Sequence, residues 1–255
     1  MRVVTIANEK GGVGKTTTTV NLAAALGLAG QRVLVIDLDS QSHATQWLGA
    51  AKTRVASDRS AYAVLTGHAK LTTTLLRTNE ESVALCPAHS LLAKAALELG
   101  SNVDGLFALK DALQEELPID YVLLDCPPAK GAVVFNALIA ADLVVAPVRS
   151  EALSLEGLGE LQETVKRVKE RYSPDLPPPM ILINDYEGRS AADRQIHEYV
   201  RQHFGRQVFT TVIGRDAPLR ECFAAQASIF RYRRTARSAA LFRDLGHELM
   251  KHVRG

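Results

Sequence analysis

The chain opens with RVVTIA (2–7), an apolar, β-rich run that passes directly into NEKGGVGKTTTT (8–19). The segment TTTTVNLAAALGLAG (16–30) then carries apolar residues at helical spacing and stops at Gly30. Strand, glycine loop and helix in this order predict a buried strand that feeds a helix across a sheet, which commits the chain to an α/β architecture. Gly11, Gly12 and Gly14 let the backbone approach an anion without side-chain obstruction. The helix beginning near Lys15 turns its free N–H groups toward the same place. A helix end at an exposed site contributes only about 0.3–1 kcal/mol to anion binding, so a triphosphate also needs the charge-assisted contacts of a lysine, and Lys15 is placed to make them. Thr16 follows where a phosphate loop needs a hydroxyl for Mg²⁺. The loop departs from the common pattern G-x-x-x-x-G-K-[ST], because Glu9 stands at the first glycine and a second lysine, Lys10, precedes the glycines. A dinucleotide loop, G-x-G-x-x-G, is the nearest alternative, but its third glycine falls on Thr17.

Further candidate strands are RVLVIDLD (32–39), SVALCP (82–87), DYVLLDCPP (120–128), DLVVAPV (142–148), MILIND (180–185) and QVFTTVI (207–213). Near-continuous apolar strands alternating with amphipathic helices predict a single doubly wound, mostly parallel sheet covered on both faces. In such sheets ligands sit beyond the carboxyl ends of strands. The 10–16 loop, Asp37 with Asp39, and Asp125 all fall there, and Asp125, which ends an apolar strand, is the natural carboxylate behind a Thr16-bound ion. At 255 residues and 47% hydrophobic, the chain suits one sizeable domain (1–255) better than two. No apolar run approaches the length of a membrane span, and the first strand lacks a signal peptide's length and cleavage site, so a cytosolic protein is expected. Cys86, Cys126 and Cys222 form no C-x-x-C pair, which predicts reduced structural thiols.

The net charge of +2 hides an asymmetry. Residues 1–188 carry 17 Lys and Arg against 22 Asp and Glu, whereas residues 189–255 carry 13 against 6. The basic surface is therefore C-terminal, an arrangement suited to a polyanion.

K-G-G-V-G-K-T-T, with lysine at both ends of the loop, resembles the deviant Walker A motif of the ParA/MinD family of P-loop ATPases. DLDSQSHAT (37–45) is similar to that family's D-x-D-P-Q-G-N-x-T, and DCPPAKG (125–131) to its D-x-P-P-S-x-G. NALIAADLVVAPVRSEALSLEGL (136–158) reads like the ParA/Soj subgroup, and VIGRDAPLRE (212–221) extends the likeness toward the C-terminal helix; it is weakest from about 50 to 80. The resemblance implies ATP and Mg²⁺ as ligands. It implies that Lys10, Gly11, Gly12, Val13, Gly14, Lys15, Thr16 and Thr17 line the phosphates, with Lys15 on the β and γ groups, Thr16 on Mg²⁺ and Thr17 on the α group. Lys10 matches the signature lysine that reaches across an ATP-bound dimer to the partner's nucleotide. Asp39 matches the carboxylate that orients the attacking water, Asp37 supports the Mg²⁺ network, Asp125 is the Walker B acid, and Asn184 falls where the family contacts adenine. Arg189 and Arg215 match arginines that touch DNA non-specifically in Soj-like members, and IFRYRRTAR adds Arg231, Arg233, Arg234 and Arg237.

The function so implied is DNA segregation by an ATP-driven homodimer on non-specific double-stranded DNA, nucleoid-associated and stimulated by a ParB-like centromere-binding partner. Two alternatives stand beside it: a membrane cycle like that of MinD, and positioning of a protein cargo on the nucleoid. Residues 239–253 are amphipathic, as a membrane anchor requires, but align with the family's ordinary terminal helix, and packing against the core is expected. No helix-turn-helix precedes the first strand, so operator binding is not expected. The chain departs from the family at Ser40, Ser42 and His43, where proline, glycine and asparagine are usual, and these changes bear on hydrolysis more than on binding.

Overall fold

A computed structural model describes residues 1–50, 54–100, 104–128, 130–149, 152–188 and 191–254. Seven strands form one sheet: β1 (Arg2–Ile6), β2 (Val33–Asp37), β3 (Leu76–Arg77), β4 (Val83–Cys86), β5 (Tyr121–Asp125), β6 (Leu143–Val148) and β7 (Met180–Ile183). Their order across the sheet is β3-β4-β2-β5-β1-β6-β7, and every pairing is parallel except β3 with β4. The strands are short apolar runs because both faces are covered. In β2, Leu34 and Ile36 enter one core with Val122 and Leu124 of β5, while Val33 and Val35 enter the other with Tyr121 and Leu123. That two-residue alternation between two dry layers is the physical content of a doubly wound sheet.

The first helix, Lys15–Leu28, leaves β1 and lies on the second layer, where the C-terminal helix Arg237–Arg254 packs against it. Ala239, Phe242, Leu245, Leu249 and Val253 are buried, so the apolar stripe of the terminal helix belongs to the core rather than to a free amphipathic face. Among the described residues no helix is long and apolar enough to cross a membrane.

The segment 207–213, expected as a strand, is not one. It makes an isolated bridge from Val208 to Ile181, and Ile213 N–H donates to Ile183 at 2.9 Å. Between these points the Thr210 and Thr211 amides turn away and donate to the Glu248 carboxylate at 2.6 and 3.0 Å. A side chain of the terminal helix thus takes the hydrogen bonds that a ladder would have used. Strand β3, two residues long at the sheet edge, is the one strand absent from the sequence reading.

The sheet's topology decides where a ligand can sit. β1 lies between β5 and β6, and the register pairs Ile6 with Asp125 and Asp125 with Asp37, so the carboxyl ends of β1, β2 and β5 converge. The glycine loop leaves β1 at this point, where the strand order reverses direction.

Candidate functional site

The loop after β1 is shaped by its glycines and pinned by residues around it. Gly12 (φ 77°) and Gly14 (φ 94°) adopt left-handed backbone that other residues rarely take, and a side-chain carbon at Gly14 would run into the Asn184 amide. Gly14 is the N-cap of Lys15–Leu28 and supplies no side-chain acceptor, and the first turn has no acidic residue, so its amides remain open to an external anion. Asn8 fastens the loop's entry: its Nδ2 donates to Pro147 O at the end of β6 (2.8 Å), and its Oδ1 accepts the Lys10 amide (2.9 Å). Glu9, which stands where the common loop has glycine, accepts the Thr164 hydroxyl (3.0 Å) and pairs with Lys130 (3.1 Å). It ties the loop to the helix Ala152–Arg171. On that helix Gly157 presses against the Lys10 backbone: a Cβ there would stand 3.0 Å from Lys10 N and 2.6 Å from Asn8 Oδ1.

Lys15 lies buried inside the loop, its Nζ donating to Asn8 O (3.0 Å) and Lys10 O (2.9 Å). Two of its three N–H bonds are thereby fixed, which leaves the third to point at an incoming acceptor. Burial lowers its pKa, and the nearby Asp125 works in the opposite direction. Asp125 receives the Thr16 hydroxyl on Oδ2 (2.8 Å) and the Thr19 hydroxyl on Oδ1 (3.0 Å). Asp37 receives the Thr45 amide and hydroxyl on Oδ2 (2.8 and 2.7 Å) and the Asp39 amide on Oδ1 (3.1 Å). Burial pushes Asp125 up to about 8, with the adjacent Asp37 charge adding to the rise; burial likewise lifts Asp37 to about 6. Two buried acids opposed in register, with a threonine hydroxyl directed at one of them, form a donor set that suits Mg²⁺. Among the described residues no three His, Cys, Asp or Glu converge, so such an ion would need phosphate and water to complete its ligands.

Asp39 begins a tight loop in which its carboxylate accepts the Gln41 amide (2.9 Å) and its carbonyl accepts the Ser42 amide (2.8 Å). Ser42 adopts left-handed backbone (φ 61°) and leads into the short helix His43–Trp47. A cleft of about 300 Å³ opens beside the glycine loop, lined by Gly12, Val13, Thr17, Asn184, Asp216 and Arg220 among others. Asn184, expected at a base, donates from Nδ2 to Val13 O (2.8 Å) and so ties the end of β7 to the loop. Next to it Asp185 holds Arg149, Arg215 and Arg220; burial alone would raise this carboxyl, but Arg215 and Arg149 outweigh it and keep it below the usual range.

The structure thus brings Lys10, Gly11, Gly12, Val13, Gly14, Lys15, Thr16, Thr17, Asp37, Asp39, Asp125 and Asn184 to one end of the sheet. The arginines differ in how they are engaged. Arg215 is engaged by Asp185 and Glu187, which raise its pKa, and Arg231 donates to Asn79 O. Arg233, Arg234 and Arg237 are exposed. Arg189 lies outside the described residues. Glu9 was singled out from the sequence only as a departure from the common loop, with no role assigned, and Asn8, Thr19, Thr45 and Gly157 were not singled out at all. Thr19 was legible, since it follows Thr16 by three residues on one helix face; the others depend on contacts that no spacing encodes.

A glycine loop with a buried lysine at a helix N-terminus, backed by a threonine–aspartate pair at the switch point of a parallel sheet, defines the class of P-loop nucleotide hydrolases. A family model described as an AAA domain, AAA_31, matches residues 1–177. The sporulation initiation inhibitor protein Soj of Bacillus subtilis is 37% identical over 249 residues, covering 97% of this chain and 98% of that protein. The chromosome partitioning protein ParA of Myxococcus xanthus is 36% identical over 251 residues, covering 98% and 88%. In fold, the chain is similar to cobyrinic acid a,c-diamide synthase of Mycobacterium smegmatis with bound ADP and magnesium, at a TM-score of 0.86 and 31% identity, covering 100% of this chain and 96% of that one. The chain belongs to the ParA/Soj family of P-loop ATPases.

Proposed function

We propose that this chain is an ATP hydrolase of DNA segregation that works as an ATP-held dimer on DNA. The observation that carries the reading is the loop itself: Lys15 is poised inside it, Thr16 is bonded to Asp125, and Lys10 stands at its entry with its backbone clamped between Asn8 and Gly157. Phosphoryl transfer needs positioning and charge neutralisation more than covalent chemistry. Lys15 and the open amides of the first helical turn hold the phosphates, and Thr17 and Asn184 face the α-phosphate and base side. Bound Mg²⁺ supplies neutralisation of phosphate charge. Thr16 holds it, and Asp125 and Asp37 fix that hydroxyl and the surrounding loop. Asp39 orients the attacking water.

A phosphate loop without a well-placed extra cation is slow. Lys10 supplies that cation to the nucleotide of a second copy, so that ATP joins two chains face to face and hydrolysis separates them. The dimer doubles the C-terminal basic surface, which holds double-stranded DNA without sequence preference and places the protein on the nucleoid. A centromere-binding partner of ParB type accelerates the turnover. Support for this reading comes from the full-length likeness to Soj and ParA proteins. Light scattering with ATP tests it. The unmodified chain should double its mass and Lys10→Ala should remain monomeric; a normal ATP-dependent dimer in Lys10→Ala would sink the model.

A further inference from the structure

The loop that carries Asp39 is closed by the Gln41 and Ser42 amides, which donate to the Asp39 carboxylate and carbonyl, and its placement depends on the element it runs into. The helix that follows it, His43–Trp47, is five residues long and has no side-chain cap, and isolated helices under roughly a dozen residues are marginal in water. Its geometry must therefore come from what it packs on. Its inner side is tied through Thr45 to Asp37 and to the Ala88 amide (2.9 Å). Its outer side meets the turn at residues 222–228. The Trp47 indole N–H donates to Ala227 O (2.9 Å), and the Gln226 side-chain Nε2 donates to Gln46 O (3.1 Å). The Phe223 ring stands edge-on to both His43 (centroids 5.9 Å, planes at 90°) and Trp47 (5.5 Å, 79°).

That turn is itself anchored at both ends. Cys222 is buried, Gln226 holds left-handed backbone (φ 47°), and Ser228 gives its amide and hydroxyl to the buried Glu80 carboxylate at 2.7 and 2.8 Å. Phe223 remains 38% exposed, so it adds little to the core, yet its ring bridges the first and last residues of the Asp39-side helix.

We propose that Phe223 is a positioning residue for hydrolysis: braced by the 222–228 turn, its ring holds His43–Trp47 and so keeps the Asp39 carboxylate where the attacking water must stand. The proposal rests on the reading of Asp39 given under Proposed function. Loss of the ring lets the short helix fray and Asp39 wander, which lowers the fraction of bound ATP that meets an aligned water while leaving the phosphate loop untouched.

ATP turnover by Phe223→Ala and Phe223→Tyr, measured beside the unmodified protein, tests it. Phe223→Ala is expected to lower kcat about tenfold with KM for ATP within about twofold, and Phe223→Tyr, which keeps the ring, to restore kcat to within about twofold. Trp47 is the only tryptophan, so its emission reports the contact directly: it should shift to the red in Phe223→Ala and not in Phe223→Tyr. An unchanged kcat in Phe223→Ala, a Tyr variant as slow as the Ala variant, or kcat and KM collapsing together with thermal stability would each overturn the proposal. Should Phe223→Ala fail to fold, His43→Ala removes one of the two edge contacts from an exposed position. It should lower kcat about threefold at unchanged KM, and full activity there overturns the proposal. Absence of turnover in the unmodified protein would overturn the hydrolase reading together with this inference, whereas normal turnover that Phe223→Ala leaves intact overturns this inference alone.

Discussion

Asp125 and Asp37 lie opposite one another in the β2–β5 register, both fully buried, and two carboxylates so placed resist ionising together unless a cation joins them. Burial raises Asp125 to about 8 and Asp37 to about 6, so at neutral pH the ligand-free protein holds a proton that Mg²⁺ must displace. The sign follows. Magnesium-dependent ADP affinity should fall as pH drops below about 8, by up to about tenfold per pH unit for one displaced proton. Calorimetry at pH 7 in two buffers of different ionisation enthalpy should count about one proton released with Mg·ADP, in excess of that seen for Asp125→Asn. Affinity that is flat with pH and equal proton release in the two proteins would refute the assignment. The pair also contributes stability to the ligand-free fold that is fully present below the ordinary carboxyl pKa of 3.8 and lost as pH rises through about 8. At this scale Asp125, Thr16 and Lys15 were legible because each sits at a fixed offset from a strand end or a glycine. Asn8 and Glu9 were not: their partners Pro147 and Thr164 are more than 130 residues away in the chain.

Between loop and helix the fit is close enough to be tested by a single methyl group. The helix Ala152–Arg171 carries Gly157 on its buried side, against the Asn8–Lys10 backbone, and Gly159 on its exposed side with no atom within 4 Å of an added Cβ. Gly159→Ala should stabilise the protein by about 0.5–1 kcal/mol, because alanine loses less backbone freedom in a helix. Gly157→Ala places the same carbon against a clamped loop and should cost about 1–3 kcal/mol from overpacking. It should also weaken ATP binding, since the loop moves with Lys10. Thermal melts with and without ATP check both, and equal behaviour of the two variants would remove Gly157 from the site. The strands were readable at this scale for the reason that makes them strands here: runs buried on both faces must be apolar throughout. Residues 207–213 are β-rich but interrupted by Thr210 and Thr211, and they fail as a strand because Glu248, thirty-eight and thirty-seven residues further on, captures the amides of those two threonines. Two-residue β3 is too short for any periodicity to reveal.

Across the molecule, the charge asymmetry becomes a question of which arginines are available. Arg215 is held by Asp185 and Glu187, and Arg231 donates to a backbone carbonyl, so neither charge is presented freely in this conformation. Arg233, Arg234 and Arg237 are exposed, and among the described residues none of their three side chains takes part in a hydrogen bond or ion pair. They follow the 222–228 turn and lead into the terminal helix, which packs on the helix that begins at Lys15, so nucleotide site and basic segment share one support. If these three residues neutralise phosphates and an ATP dimer presents two sets, about six counterions are released. The affinity for duplex DNA should then fall with salt at a log–log slope of about −5, without sequence preference. Gel shifts in ATP over a salt series measure it. Replacing the three arginines with alanine should cut the slope to about −1 or abolish binding, while ATP-dependent dimerisation persists. A slope that survives the triple replacement would move the DNA surface elsewhere, and binding as tight in ADP as in ATP would detach it from the nucleotide cycle.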